Sequence, residues 1–289
     1  MRKLLTIAVY TAVMLMIGRN LTMLPRFTVF SNPQTKFEDR TNALKAKVVS
    51  LIEHSPGNYS VYFSDLTHDT AFGIYEKEMF TGASINKVPI ITTLYYLNYR
   101  GKIDLDEQIT IQKKDIQDYG TGTLRYQKPG GVYSLKTLAK LALKQSDNTA
   151  VHVISNRIGT DVIQQTVKQL GLTQTHMENN KISAADLFIL FKKIHANEIT
   201  DNARTQELLG FMQDTDIEDR IPALLPKTVT VSHKTADAVG NMHDAGIIEV
   251  EDSVLFLSVL TSDIGGKEEQ TRQTIARIAK TIADAYTNE

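Results

Sequence analysis

Segments with the residue alternation of β-strands lie near both ends of the sequence, and a long helical stretch separates them. The predicted strands cover residues 59–65, 71–75, 228–234, 245–250 and 253–262. Strands from both ends can form one sheet only if the chain returns to it after the helices. This order therefore predicts an α/β lobe over residues 36–80 and 205–289, with an all-α lobe over residues 81–204 inserted between them.

Apolar residues at helical spacing define the helices of both lobes. Helices are predicted from Phe37 to near Pro56, after Ser84, and at residues 135–144, 148–158, 160–170, 184–195 and 268–286. In the last of these, Ile275, Ile278 and Ile282 fall on one face, as expected of a helix packed on a sheet. Since small-molecule sites commonly lie between lobes, we expect the functional site in that cleft.

The N-terminus has the pattern of a targeting segment. Arg2 and Lys3 precede an uncharged apolar stretch that ends at Arg19. This predicts a secretory signal or membrane anchor at residues 1–24 and a proline-containing linker at residues 25–35. An uncleaved anchor is favoured because no Ala-x-Ala-like cleavage site follows, and the alternative is a buried helix of the globular domain. The chain is expected to work outside the cytoplasm, anchored in or secreted to the bacterial cell envelope.

The composition argues against several classes of function. Thirty-two basic and 33 acidic residues give a net charge of −1, so no positive field favours a nucleic-acid partner. The absence of cysteine excludes disulfides, thiolate metal sites and a cysteine nucleophile. None of the seven histidines forms a His-x-x-x-His pair on a predicted helix. We therefore expect neither a metal nor another cofactor, and a small molecule as the substrate.

The stretch TGASINKVP places Ser84 and Lys87 three positions apart, at the start of an apolar helical segment. Side chains with this spacing stand on the same face of a helix. A serine hydroxyl is a weak nucleophile at its normal pKa and needs a neighbouring base, which Lys87 can provide after losing its proton. The alternative is a helix N-terminus with a solvated lysine, because a lone Ser-x-x-Lys tetrapeptide is weak evidence.

Two further polar runs carry compatible chemistry. They are Ser146-Asp147-Asn148, between two predicted helices, and Lys234-Thr235-Ala236, at the end of a predicted strand. Burial and the nearby charge of Lys234 would favour loss of the Lys87 proton. Ser146 can relay a proton to a leaving nitrogen, and Asn148 can hold Lys87 or a substrate amide. Asp147 is expected to tie down the loop between the helices, with a simple N-cap as the alternative.

In chain order, these motifs resemble the Ser-x-x-Lys, Ser-Asp-Asn and Lys-Thr-Gly signature of class A β-lactamases and penicillin-binding proteins. The resemblance extends through GKIDLDEQITI, GTGTLRYQKPGGVYSLKTLAKLALKQSDNTAVHVI and HKTADAVGNMHDAGII, from about residue 40 onward. It implies an α/β fold in which an antiparallel sheet is flanked by terminal helices and carries an inserted all-α lobe. It also implies an acyl-enzyme on Ser84, a substrate carboxylate bound by Lys234 and Thr235, and an oxyanion bound by the backbone amides of Ser84 and Asp237.

The sequence departs from the family pattern where the acyl-enzyme would be hydrolysed. Class A β-lactamases activate water with a glutamate on a long loop after the helical block, and this chain is short there. Glu178 is the glutamate available, and the alternative is an exposed turn residue. Ala236 replaces the usual glycine, and Asp237 brings a carboxylate that would oppose an anionic substrate. Arg220 is a candidate for binding the substrate carboxylate.

Three functions follow from these patterns. The first is a serine hydrolase of the β-lactamase type that opens β-lactam amides, with slow deacylation if Glu178 is not the base. The second keeps the nucleophile and acts on a D-alanyl peptide or another cell-wall ester or amide, as a penicillin-binding protein does. The third is an inactive, surface-anchored binding module.

Overall fold

The computed structural model describes residues 33–287. The predicted signal or anchor at residues 1–24 lies outside the described residues, as does most of the predicted linker. Within residues 33–287, no helix is long and apolar enough to cross a membrane. Helix α1 spans Pro33–Glu53 and so begins inside the stretch expected to be a linker. Proline is well tolerated in the first helical turn, because its missing N–H would have no partner there.

A five-stranded antiparallel sheet joins the two ends of the described chain. Its strands are β1 Asn58–Asp65, β2 Thr70–Ile74, β7 Thr230–Ala238, β8 Asn241–Val250 and β9 Ser253–Ser262. Their order is β2-β1-β9-β8-β7, so β1 pairs with the last strand of the chain. The expected fold class, an antiparallel sheet with helices, is confirmed.

The helices fall mostly between β2 and β7. They are α2 Lys87–Tyr99, α3 Leu135–Lys144, α4 Asn148–Ile158, α5 Thr160–Gln169, α6 Ala184–His195 and α7 Asn202–Gly210, and α8 Glu268–Asp284 follows the sheet. Two short pairs accompany them: β3 Phe80–Thr81 with β6 Lys181–Ile182, and β4 Gln108–Thr110 with β5 Val132–Ser134. These short strands and α7 were not predicted.

Alternation along the strands divides the core into two clusters, one on each face of the sheet. On β9, Leu255 and Leu257 pack in the cluster that contains Ile275 of α8, while Phe256 and Leu260 pack in the cluster of the helical block. Successive strand residues point to opposite faces, so one strand serves both clusters. The sheet is thereby fixed between helices on both sides.

Strand β7 is longer than the sequence pattern indicated, because it continues past Lys234 to Ala238. Lys234 and Thr235 are only 2% and 3% exposed, so polar residues occupy buried positions where the alternation rule expects apolar ones. The strand ends at a turn in which Gly240 has φ +72. The residues predicted to act on a substrate thus lie within an edge strand rather than after one.

Candidate active site

Ser84 and Lys87 lie where a short 3-10 helix, Ala83–Asn86, leads into α2. Side chains at i and i+3 of a 3-10 helix are nearly eclipsed, which aligns them more closely than an α-helix would. Lys87 Nζ donates a hydrogen bond to Ser84 Oγ at 3.0 Å. Ala83, just before the serine, has φ +46, a backbone strain of the kind that clusters at functional sites.

Lys87 is 4% exposed and is surrounded by oxygen atoms of the Ser146-Asp147-Asn148 run. Its Nζ lies 2.5 Å from the Ser146 carbonyl oxygen, 3.0 Å from Ser146 Oγ and 2.7 Å from Asn148 Oδ1. Ser146 adopts φ +55, which lets both its carbonyl and its hydroxyl reach the lysine. The amine therefore stands between two serine hydroxyls, as a proton relay requires.

Asp147 is buried and caps α4, which was the alternative considered for it: its Oδ1 accepts from the Ala150 backbone N–H at 2.9 Å. Its Oδ2 accepts from the Leu124 backbone N–H at 2.8 Å and so also holds the preceding loop. A Cβ at Gly122 of that loop would lie 2.2 Å from Asp147 Oδ2. Close packing of the GTGT segment against the capped helix fixes the position of the Ser146 turn.

The loop before α3 contributes one wall of the site. Asn148 Nδ2 donates to the Tyr119 carbonyl at 3.1 Å, and Thr121 Oγ1 donates to the Ser146 carbonyl at 2.9 Å. Tyr119 and Thr121 line the cavity described below. Tyr126, in the same loop, does not line it and is 78% exposed.

Burial lowers the pKa of both lysines. It lowers the pKa of Lys87 to about 8, with partial compensation by the nearby Asp147 carboxylate. Burial, together with repulsion from Lys87, lowers the pKa of Lys234 to about 7. Near neutral pH, a much larger fraction of each amine is therefore neutral than in a free lysine.

One cavity of about 560 Å³, within the range of small-molecule sites, collects most of the predicted site residues. Those that line it are Ser84, Lys87, Ser146, Asn148, Thr235 and Asp237. Lys234 does not line it: its Nζ is buried and donates to the Thr235 carbonyl at 2.7 Å. The structure therefore brings six predicted residues to the wall of one cavity, and Lys234 is buried next to it.

The far wall belongs to β7, where Asp237 meets Arg220. Arg220 Nη2 donates to both Asp237 carboxylate oxygens, at 2.6 and 2.8 Å. The arginine is 1% exposed, whereas the Asp237 side chain is 50% exposed. Ala236, the residue before Asp237, lines the cavity but is only 2% exposed, because its methyl packs in the cluster of the helical block.

Glu178 lies away from the cavity. It is exposed, in a turn between His176 and Lys181, whose backbones pair across it. Its turn neighbours Met177 and Asn180 do line the cavity, and Glu178 does not. The alternative of an exposed turn residue describes its position. Among the described residues that line the cavity, Asp237 is the only carboxylate.

An asparagine pair on the cavity wall was not predicted. Asn86, between the serine and the lysine, donates from Nδ2 to Asn180 Oδ1 at 2.6 Å. Asn86 is 6% exposed, and its Oδ1 has no hydrogen-bond partner. No local sequence pattern marks this contact, because the partners are 94 positions apart.

The chain is similar to known proteins over most of its length. A family model described as the β-lactamase enzyme family matches residues 43–286. β-Lactamase CTX-M-8 of Citrobacter amalonaticus is 24% identical over 266 residues, covering 86% of this chain and 90% of that protein. The structure of PBP-A is 26% identical, with a TM-score of 0.79, covering 86% of this chain and 97% of PBP-A.

A mutant of PBP-A, solved as an acyl-enzyme complex with penicillin G, is also similar. It is 25% identical, with a TM-score of 0.77, over 86% of this chain and 97% of that one. The family match covers well over half of the sequence and spans every element that lines the cavity. The chain therefore belongs to the β-lactamase enzyme family, among hydrolases of the serine β-lactamase type.

Proposed function

We propose that this chain forms an acyl-enzyme on Ser84 by opening a β-lactam amide, and that it releases the acyl group slowly. One observation carries the proposal: Lys87 Nζ lies 3.0 Å from Ser84 Oγ and 3.0 Å from Ser146 Oγ. With a pKa lowered to about 8, the amine is available as a base near neutral pH. A solvated lysine at a helix N-terminus would have none of these contacts.

Acylation proceeds by transfer of one proton across this relay. Lys87 takes the proton of Ser84 Oγ as the Oγ–carbon bond forms, which gives a tetrahedral oxyanion. The backbone amides of Ser84 and Asp237 are proposed to bind that oxyanion. When the amide C–N bond breaks, Ser146 gives its proton to the leaving nitrogen and receives one from Lys87, so the amine is again neutral.

Slow deacylation follows from the composition of the cavity wall. Hydrolysis of the ester needs a base to activate water, and Asp237 is the only carboxylate among the described lining residues. Arg220 holds that carboxylate in two hydrogen bonds, which stabilises its charge and weakens it as a base. The mutant of PBP-A captured as an acyl-enzyme with penicillin G supports the same outcome for a related cavity.

A D-alanyl peptide or another cell-wall ester or amide is the second candidate substrate. The lack of any lining carboxylate other than Asp237 among the described residues favours it, because a transferase or peptidase of this kind needs acylation but not rapid lactam turnover. An inactive binding module is disfavoured, since an unused lysine would not need burial at 4% exposure beside two serines.

We also propose that the chain works outside the cytoplasm, on the basis of its N-terminal charge pattern.

Intact mass after incubation with penicillin G tests the proposal. We expect an adduct of the full mass of the drug on wild-type protein, persisting for minutes or longer, and none on Ser84→Ala. Peptide mapping should locate it on Ser84. Absence of an adduct with penicillin G and with a neutral activated ester, on folded protein, would reject the proposed function.

A further inference from the structure

The arginine beside the cavity offers no accessible hydrogen-bond donor to a ligand. Its Nη2 group binds the two Asp237 oxygens, and its Nη1 group donates to the carbonyls of His243 at 2.8 Å and Ala236 at 3.2 Å. Nε makes no hydrogen bond, but it is buried and lies 3.3 Å from Asp219 Oδ1. Of the five N–H groups of the guanidinium, four are therefore hydrogen-bonded to protein atoms and the fifth is closed off from the cavity. Arg220 therefore cannot bind a substrate carboxylate without releasing Asp237.

The Asp237 side chain occupies the place at which a substrate carboxylate would otherwise lie. Thr235 and Asp237 pair with Asp244 and Met242 of β8 and so point to the same face of β7. Both line the cavity that contains Ser84. The hydroxyl of Thr235 consequently has a protein carboxylate beside it on the strand, where an incoming anion would be placed.

Lys234, the other cation of this strand, attracts the Asp237 carboxylate but does not line the cavity. Its Nζ is fully buried and donates to the Thr235 carbonyl. Burial and repulsion from Lys87 lower its pKa to about 7, so it is largely neutral in the range where Lys87 becomes a base. Of the ion pair that Asp237 forms with Arg220, the carboxylate is thus the member that is exposed at this end of the cavity.

A carboxylate held in this way still has hydrogen-bonding capacity on its open side. Each oxygen has two lone pairs, and Arg220 uses one on each. The remaining positions accept N–H donors such as an amide or an ammonium group. An anionic group would meet like charge with little solvent between, which disfavours its binding.

We propose that Asp237 determines substrate specificity: it selects acyl donors whose leaving group carries an amide or ammonium beside the scissile bond, and rejects those with a carboxylate there. This rests on the proposed acyl transfer at Ser84 and names its preferred substrate class. Penicillins carry a carboxylate next to the lactam nitrogen. For this reason we expect them to acylate the wild-type protein slowly.

Three ester donors with one acyl group test this directly. Their leaving groups are a 2-hydroxy acid, its carboxamide, and its aminoethyl amide, so they differ in charge and not in the reacting bond. The specificity constant kcat/KM, or the acylation rate constant where turnover is slow, is measured for each donor. The proteins are wild type, Asp237→Asn, Asp237→Ser and Asp219→Asn.

We expect wild type to favour the carboxamide and ammonium donors over the carboxylate donor by at least about tenfold. Asp237→Asn should raise the rate with the carboxylate donor by about tenfold or more and remove the advantage of the ammonium donor. Asp219→Asn is the matched control, because it removes a carboxylate from the same arginine without altering the cavity wall. Its donor preference should stay within about threefold of wild type.

If Asp237→Asn does not fold, Asp237→Ser gives the same comparison. Equal use of the three donors by wild type, or a preference unchanged in both Asp237 variants, would overturn the specificity proposal and leave acyl transfer intact. Failure of all three donors to acylate Ser84 on folded wild-type protein would instead reject the proposed function, and the specificity proposal with it.

Discussion

Asn148 Oδ1 accepts a hydrogen bond of 2.7 Å from Lys87 Nζ, and the opposite end of the same amide donates to the Tyr119 carbonyl. The amide is therefore oriented with its oxygen toward the lysine. A neutral oxygen solvates the amine without holding a proton on it as strongly as a carboxylate would. Asn148 thus helps to position Lys87 while leaving it able to act as a base.

Asn148→Asp should move the pH dependence of Ser84 acylation upward. A carboxylate at the same place favours the charged lysine and so raises the pKa of Lys87, by about one unit or more. We expect acylation at neutral pH to slow by about tenfold or more while the rate above pH 9 recovers in part. Asn202→Asp, the same charge change on an exposed residue of α7, is the control. An unshifted profile in Asn148→Asp would contradict this assignment.

Glu178→Gln should not change the lifetime of the acyl-enzyme. The side chain is exposed and does not line the cavity, so we do not expect it to activate a water beside the Ser84 ester. Loss of the penicillin adduct, followed by intact mass, should occur at the wild-type rate within about twofold. Removal of a true general base costs about a hundredfold or more, so a slowing of that size would restore Glu178 as the deacylating residue.

Gly122→Ala should destabilise the protein more than Gly130→Ala. Both glycines have φ +104, so both substitutions carry the same backbone strain. A Cβ at Gly122 would collide with Asp147. A Cβ at Gly130 would have open space around it among the described residues, with no atom beyond its chain neighbours within 4 Å. We expect a difference of about 1–3 kcal/mol in the free energy of unfolding, and slower acylation in Gly122→Ala. Equal destabilisation would show that the close packing on Asp147 does not matter.

A buried ion-pair network should make stability depend on pH through His233. Its ring lies 2.8 Å from Asp244 and 3.1 Å from Glu218, and Asp244 also accepts from the Ile221 backbone next to Arg220. Burial opposes the imidazolium, but the two carboxylates outweigh it and raise the pKa of His233 to about 9. Because this exceeds the ordinary value of 6.5, the stabilisation is complete below pH 6.5 and is lost as the pH rises through about 9.

Chemical unfolding of wild type and His233→Gln at several pH values isolates this effect. The difference in free energy of unfolding should shrink by on the order of 2 kcal/mol between about pH 6 and pH 10. Taking the difference between the two proteins removes the opposing contribution of Lys87 and Lys234, whose lowered pKa values favour folding at higher pH. A difference that stays constant with pH would mean that His233 is neutral in the folded protein.

Local patterns were enough to predict most helices and the capped turns. The helix at residues 135–144 has the predicted bounds, and Asp147 caps its helix as its residue type suggested. These features depend on neighbours within one or two turns, which the sequence displays directly. The three polar runs were likewise visible, and the predicted convergence of Ser84, Lys87 and Ser146 agrees with their contacts.

Features that depend on long-range packing could not be predicted. Arg220 was named as a candidate for a substrate carboxylate, yet it binds Asp237, which is 17 positions away. Asp237 lies on a strand that was predicted to end at residue 234 and extends to Ala238. The pairing of Asn86 with Asn180 joins two loops that only the folded helical block brings together. In each case, one partner is set by tertiary structure, so no spacing rule reveals it.

The pH dependence of Ser84 acylation by a neutral activated ester tests the central claim, that Lys87 takes the serine's proton. The account predicts that the second-order rate constant rises about tenfold per pH unit and levels off near pH 8, the pKa of Lys87. In Lys87→Met, the rate should fall by at least about a hundredfold and lose this inflection. A wild-type rate that does not change between pH 6 and pH 10, or a Lys87→Met variant that acylates as fast as wild type, would contradict it.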